Sequence, residues 1–264
     1  MKSVDGQSQG EVMEVALTID GRKIEARTGE TVLWAALDNG INIPNLCSIR
    51  EASAPYAGCR LCFVEIEGRN VPVTACTETV EEGMNVSTKG AAARRLARTA
   101  LELLLATHPV DCAHCPANRA CELQKMSAHL GVKLNSKRFR KILRDLPIDS
   151  SHPEFTYDPN KCVLCGKCVW ACRHRLGIGV LGFAQRGFKR VVTTFDNRPL
   201  AETNCLGCGD CVAVCPVGAL FFKGHSKAEA RRETVKARVG AFGRTPSLAK
   251  GDCGDEILRP QGSE

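Results

Sequence analysis

What this chain has little of narrows it before any motif is read. Aromatic residues make up only 5% of its 264 residues, with two tryptophans and two tyrosines. That is thin for one large core, and it points to several small modules held by something besides apolar packing. No apolar run approaches the ~18 to 20 residues of a membrane span. The longest candidate, residues 211–222, is interrupted by cysteines and Pro216. The opening MKSVDGQSQGEVMEV contains no apolar leader segment, so no secretion signal is expected. There is no G-x-S-x-G and no Ser-His-Asp arrangement, which leaves hydrolytic catalysis without support. Against these absences stand sixteen cysteines. Without a leader they argue for metal ligation rather than disulfides, and for a soluble protein of a reducing compartment, most simply the cytoplasm.

The cysteines have a grammar. Cys162, Cys165, Cys168 and Cys172 read C-x2-C-x2-C-x3-C, and Cys205, Cys208, Cys211 and Cys215 repeat it, ending in Cys215-Pro216. This is the spacing of a ferredoxin that holds two [4Fe–4S] cubanes. Each triplet can take three corners of one cubane, and the fourth cysteine of each run serves the other cluster. The expected sets are therefore Cys162, Cys165, Cys168 and Cys215, and Cys205, Cys208, Cys211 and Cys172. A zinc site needs only two pairs of ligands, so a zinc-bound structural or nucleic-acid-binding protein is the remote alternative.

Two further constellations precede these runs. Cys47, Cys59, Cys62 and Cys76 keep the x2 pair and distant fourth ligand of a plant-type [2Fe–2S] site, with a longer first interval. The loop 48–58 can wrap such a cluster and offer main-chain N–H groups to its sulfurs. The alternative is four reduced structural thiols. His108, Cys112, Cys115 and Cys121 read H-x3-C-x2-C-x5-C, a compact metal site at the join of two expected helices. A neutral histidine ligand makes a cluster less negative and tends to raise its potential. The competing reading of His108 is a helix C-terminal residue interacting with the dipole. His114 is expected to point away from the metal.

The formal charge is +7. Four-thiolate clusters carry about −2 each and a histidine-ligated cubane about −1, so four clusters would bring the holoprotein close to neutral. The basic run Lys137, Arg138, Arg140, Lys141 and Arg144 reads as a solvated helix face or a docking surface for an acidic partner. Its only interleaved aromatic is Phe139, so nucleic-acid binding is not expected. Gly177, Gly179 and Gly182 match G-x-G-x-x-G, but a cluster-binding segment precedes them and no helix is read after them. Turns are expected there, not a dinucleotide site. Cys253 has no ligand-spaced neighbours and reads as a free thiol.

Periodicity places a hairpin at Asp20-Gly21, a short helix over 31–39, strands over 62–67, 71–76 and 84–88, and helices over 90–107 and 121–130. Residues 1–11 read as a loose terminus and 133–145 as an amphipathic linker element. The tail carries a capping box at Ser226 and Glu229.

The order of these four ligand sets, with HPVDCAHCPANRACELQ and YDPNKCVLCGKCVWAC, resembles one electron-transfer module. It is similar to the N-terminal part of the large iron–sulfur subunit of respiratory complex I and of [FeFe] hydrogenases. It also resembles the small diaphorase subunit of NAD-linked [NiFe] hydrogenases and its counterpart in NAD-linked formate dehydrogenases. The likeness covers about residues 12–223. Arg173 stands where simple ferredoxins have proline, and an insert over 173–204 separates the two cubane runs. The resemblance implies an α+β chain: a β-grasp [2Fe–2S] domain over 12–89, a helical domain over 90–150 with a cubane held by one histidine and three cysteines, a 2[4Fe–4S] ferredoxin-like domain over 151–223, and a tail over 224–264. It implies one [2Fe–2S] and three [4Fe–4S] clusters, and a relay between a flavin/NAD(P)H-binding subunit and a catalytic subunit of a hetero-oligomer. An NAD(P)-linked hydrogenase, or an electron-bifurcating version of one, is the leading expectation, and formate dehydrogenase or another complex I-related oxidoreductase is the alternative. The family's appended catalytic domains are not expected after Glu264, so the chain reads as non-catalytic.

Overall fold

The computed structural model describes residues 13–175 and 177–224. The loose N-terminus, the tail with its capping box, and Cys253 lie outside the described residues.

The chain opens with a hairpin, β1 (Glu14–Ile19) and β2 (Arg22–Arg27). Asp20 and Gly21 turn it with φ of 51° and 80°, the two positive angles that match the twist of adjoining strands. Helix α1 (Val32–Asp38) follows and buries Val32, Leu33, Ala35 and Ala36. Thr31 does not cap it with its side chain; instead Val32 and Leu33 donate N–H bonds to the Glu78 and Ala75 carbonyls. Strands β3 (Phe63–Ile66), β4 (Val73–Thr74) and β5 (Asn85–Ser87) complete a sheet in the order β2-β1-β5-β3-β4. Its one parallel pair, β1 with β5, lies between antiparallel neighbours, which is the β-grasp arrangement the resemblance implied.

Two helices come next, α2 (Ala91–Ala106) and α3 (Glu122–Leu130), the latter ended by left-handed Gly131. The start of α2 is capped from the sheet: Glu65 on β3 accepts N–H bonds from Ala92 and Ala93 at 3.0 and 3.1 Å. The segment 133–145 contains no helix, so its basic run is not a helix face, and the segment is a linker. It runs past the end of α2 and satisfies that helix's orphan carbonyls, with the Lys141 ammonium on Leu105 O (2.8 Å) and Ile142 N–H on Ala106 O (2.9 Å).

The last module pairs β6 (Phe155–Tyr157) with β9 (Leu220–Phe222), an antiparallel ribbon formed by its two ends. Between them lie α4 (Lys167–His174), a small hairpin of β7 (Gly182–Ala184) and β8 (Val191–Thr193), and α5 (Asp210–Val214). Helices α4 and α5 pack together. The buried residues form two clusters. One fills the β-grasp between sheet and α1; the other runs from Leu46 and Cys59 through α2 and α3 into the last module.

Candidate metal centres

The first four cysteines sit on the seam between these cores. Cys62 and Cys76 belong to the sheet core, Cys47 and Cys59 to the larger one, and all four are buried. Cys62 immediately precedes β3, and its carbonyl accepts the Ala75 N–H at 2.8 Å, which brings Cys76 beside it. The loop 48–58 closes the other side. Arg50 anchors it to Asp38 at the end of α1 and to Glu30 just before that helix, with its guanidinium 5.0 Å from the Trp34 ring centre. The Cys47 and Cys59 sulfurs lie 3.4 Å apart and share a hydrogen bond. That bond holds Cys47 down to about 6, helped by the N–H groups of Cys59 and Gly58 and by the Lys167 charge, and it drives Cys59 up. Cys62 and Cys76 divide in the same way, Cys76 lowered and Cys62 raised. Closely grouped sulfurs with main-chain N–H donors aimed at them, as from Leu46 to Cys59 Sγ at 3.4 Å, fit an iron–sulfur site.

His108 follows α2 directly, and Cys121 is the residue before α3, so the second set lies at the join of two packed helices. Burial lowers the His108 pKa to about 4, with the Lys161 and Lys141 charges adding to it. The imidazole is therefore neutral at pH 7, and its buried Nδ1 has no hydrogen-bond partner among the described residues. A neutral imidazole whose buried Nδ1 has no hydrogen-bond partner fits a metal ligand better than a cation on a helix dipole. His114 is exposed and pairs with Asp111 at 2.9 Å, turned to solvent as its place in the loop suggested.

The two ferredoxin runs fold as a repeat. In Cys162-Val-Leu-Cys165-Gly and Cys205-Leu-Gly-Cys208-Gly, the third and fifth positions are all left-handed: Leu164 (54°), Gly166 (79°), Gly207 (66°) and Gly209 (71°). Leu164 bears this strain without a glycine's freedom, at a cost of roughly 1–2 kcal/mol. The turn directs N–H groups at sulfur, as from Leu164 to Cys162 Sγ (3.4 Å). The fourth cysteine of each run acts on the other run. Burial raises Cys162 to about 11 and Cys165 to about 12, and the nearness of Cys215 adds to the rise in both. Burial likewise raises Cys208 and Cys211, and both feel Cys172. A small cavity of about 20 Å³ bordered by Cys172, Cys205, Cys208 and Cys211 is roofed by Ile178, Val180, Leu181 and Leu200 of the insert. Val180 N–H donates to Cys172 Sγ at 3.2 Å, so the insert serves as a wall of this site.

The sets are neighbours. Cys168 feels Cys211 across the α4–α5 contact. A side chain at Gly218, three residues after Cys215, would meet Cys115 Sγ at 2.6 Å, and Glu122 N–H donates to Pro216 O at 2.9 Å. Spacing did not point to Tyr56, Tyr157, Lys167 or Arg175. Tyr157 donates its hydroxyl to Val192 O at 2.6 Å; burial raises its pKa, and Cys162 and Cys168 add to that. The available signal was scarcity, since both tyrosines of the chain abut the Cys162, Cys165 and Cys168 loop.

Among the described residues no group of three or more His, Cys, Asp or Glu is drawn together closely enough to hold a single metal ion. No disulfide joins the described cysteines, and no helix among the described residues is long and apolar enough to cross a membrane. Gly177 and Gly179 are left-handed turn residues, and Gly182 begins β7, a strand rather than the helix of a dinucleotide site.

Comparison with known proteins agrees with this geometry. Residues 13–91 match the 2Fe-2S iron-sulfur cluster binding domain, 98–135 the NADH-ubiquinone oxidoreductase-G iron-sulfur binding region, and 153–221 the ferredoxin-like domain of NADH-quinone oxidoreductase subunit 3. The NADPH-Fe(3+) oxidoreductase subunit alpha of Geobacter sulfurreducens is 37% identical over 234 residues, 89% of this chain and 26% of that protein. The NADP-reducing hydrogenase subunit HndD of Solidesulfovibrio fructosivorans is 36% identical over 219 residues, 78% of this chain and 36% of that protein. This chain thus spans about a quarter to a third of those relatives' length. A chain of an NAD+-reducing [NiFe]-hydrogenase, solved in the H2-reduced state, superposes with a TM-score of 0.73 at 34% identity, over 80% of this chain and 88% of its own. With all three cluster-binding regions in order and a solved relative covered over most of its length, the chain belongs to the family of iron–sulfur subunits found in NAD(P)-linked hydrogenases and in the NADH-quinone oxidoreductases.

Proposed function

We propose that this chain carries electrons one at a time between a flavin- and NAD(P)H-binding subunit and the catalytic subunit of an NAD(P)-linked hydrogenase. The ligands in this reading are Cys47, Cys59, Cys62 and Cys76 for one [2Fe–2S] cluster, His108, Cys112, Cys115 and Cys121 for one [4Fe–4S] cluster, and the crossed sets Cys162, Cys165, Cys168, Cys215 and Cys172, Cys205, Cys208, Cys211 for two more. When bound, these clusters supply one-electron carriers within a single protein. The domain limits are taken as 12–89, 90–150 and 151–223, and the compartment as the cytoplasm.

One observation carries the reading: the Cys162, Cys165, Cys168 and Cys215 set borders each of the other three. Tyr56, between Cys47 and Cys59, lies against Gly166, between Cys165 and Cys168. Gly218, just past Cys215, lies against Cys115. Cys168 feels Cys211. A structural metal has no need of such contiguity, whereas a relay depends on it. The chain's own part is to hold the ligands at fixed spacing, exclude water and present N–H donors to sulfur.

Anaerobic iron and acid-labile sulfide analysis tests this. About 14 of each per chain are expected, with EPR signals of both cluster types after reduction. Zinc without sulfide would overturn the reading. Co-purification then identifies the catalytic partner: nickel supports a hydrogenase, while molybdenum or tungsten transfers the same relay to a formate dehydrogenase.

A further inference from the structure

Each of the two ferredoxin-run loops has an aromatic ring lying on its glycine. A side chain at Gly209 would meet Phe222 Cζ at 2.6 Å, and one at Gly166 would meet Tyr56 Cδ2 and Cε2 at 2.8 Å. The two arrangements repeat each other, but the rings differ in origin. Phe222 comes from β9 of the same module. Tyr56 comes from the loop 48–58 that closes the Cys47, Cys59, Cys62 and Cys76 site. Its ring stands edge-on to Phe183 of the insert, with centroids 6.0 Å apart. Two further ties hold that loop over the ferredoxin module: Glu51 pairs with Arg175 at 3.3 Å, and Arg175 lies 3.8 Å from Asp210 on α5. Tyr56 is 42% exposed, so one side of the ring faces solvent while the other covers Gly166. Left-handed Gly166 has no Cβ to block this approach.

We propose that Tyr56 is a positioning residue that shields the Cys162, Cys165, Cys168 and Cys215 cubane, a cover lent by the [2Fe–2S] loop that keeps water off that site and holds its potential down. The proposal rests on the cluster assignment given above. Reduction adds an electron to a site that is already anionic. Water stabilises the more negative state, and a dry aromatic cover withholds that stabilisation. Removing the ring therefore raises the potential of this cubane and leaves the [2Fe–2S] potential in place, since the ring covers Gly166.

The test is EPR-monitored redox titration of the full chain loaded with its clusters, unsubstituted and as Tyr56→Phe and Tyr56→Ala. The cubane in question is identified by the signal lost in Cys165→Ala. In Tyr56→Ala its reduced-to-oxidised ratio at a fixed ambient potential should rise about tenfold, equal to about 59 mV for a one-electron couple. Tyr56→Phe, which keeps the ring, should match the unsubstituted chain. A Tyr56→Ala chain with full iron and sulfide and an unchanged midpoint overturns the proposal, as does an equal shift of every cluster. If Tyr56→Ala does not load, Tyr56→Leu is read by the same criteria. Iron-free unsubstituted chain is a different failure: it removes the relay reading, and this inference with it, before any substitution is made.

Discussion

At the scale of the residue, His108 is the least ordinary member of the candidate ligand sets. Burial lowers its pKa to about 4, so near pH 7 it meets a cluster as a neutral donor, where each of the other ligand positions brings a thiolate. Replacing it by cysteine adds one negative charge to that set. His108→Cys should retain a cubane and lower its midpoint, as followed by potentiometric EPR. An unchanged titration removes His108 from the ligand list. The cysteines could be grouped as candidate ligands because sulfur ligation is written in short spacings along the chain. Tyr56 was not, because nothing in Pro-Tyr-Ala-Gly announces a ring that packs on a loop more than a hundred residues away.

At the scale of the element, α2 links two modules through one carboxylate. Its first turn contains no acidic residue, so the positive end of the helix is met by Glu65 from the sheet. A side chain at Gly90 would collide with that carboxylate, which explains the glycine at the helix start. Glu65→Ala should cost about 0.5–2 kcal/mol, the range for loss of a helix cap. Urea denaturation of the cluster-loaded chain measures it, and an unaltered midpoint would show that water replaces the cap without loss. The segment 133–145 teaches the converse. Its pattern suggested an amphipathic element, but its backbone and Lys141 are engaged by the end of α2. Local pattern gave way to the requirement that buried carbonyls find donors.

At the scale of the molecule, the two cores depend on metal to different degrees. The β-grasp core has its own apolar filling in Leu17, Ile19, Val32, Leu33, Val64 and Val86. That core contains only Cys62 and Cys76 of the candidate ligands, whereas the larger core mixes its leucines with Cys47, Cys59, Cys121, Cys165, Cys168, Cys211 and Cys215. Stripping the clusters leaves buried thiols facing one another where iron and sulfide belong. Hydrogen exchange after chelation should therefore show early loss of protection in α3, α4 and α5, and slower loss in β1, β2 and β5. Uniform loss across both regions would show that the β-grasp has no stability of its own.

The sequence by itself determined which residues group as candidate ligand sets, with Cys172 and Cys215 assigned across the ferredoxin runs, and it placed the hairpin and the three leading helices. These features are local: ligand spacing, a two-residue turn and apolar periodicity act over a few residues. Only the tertiary structure decided that the Cys47, Cys59, Cys62 and Cys76 site lies on the seam of two cores, that the insert walls the Cys172 site, and that a ring from one module covers a loop of another. Those contacts join segments far apart in the chain. They follow from which faces must be buried and which carbonyls must be paired once the modules meet, and no short window of sequence carries that information.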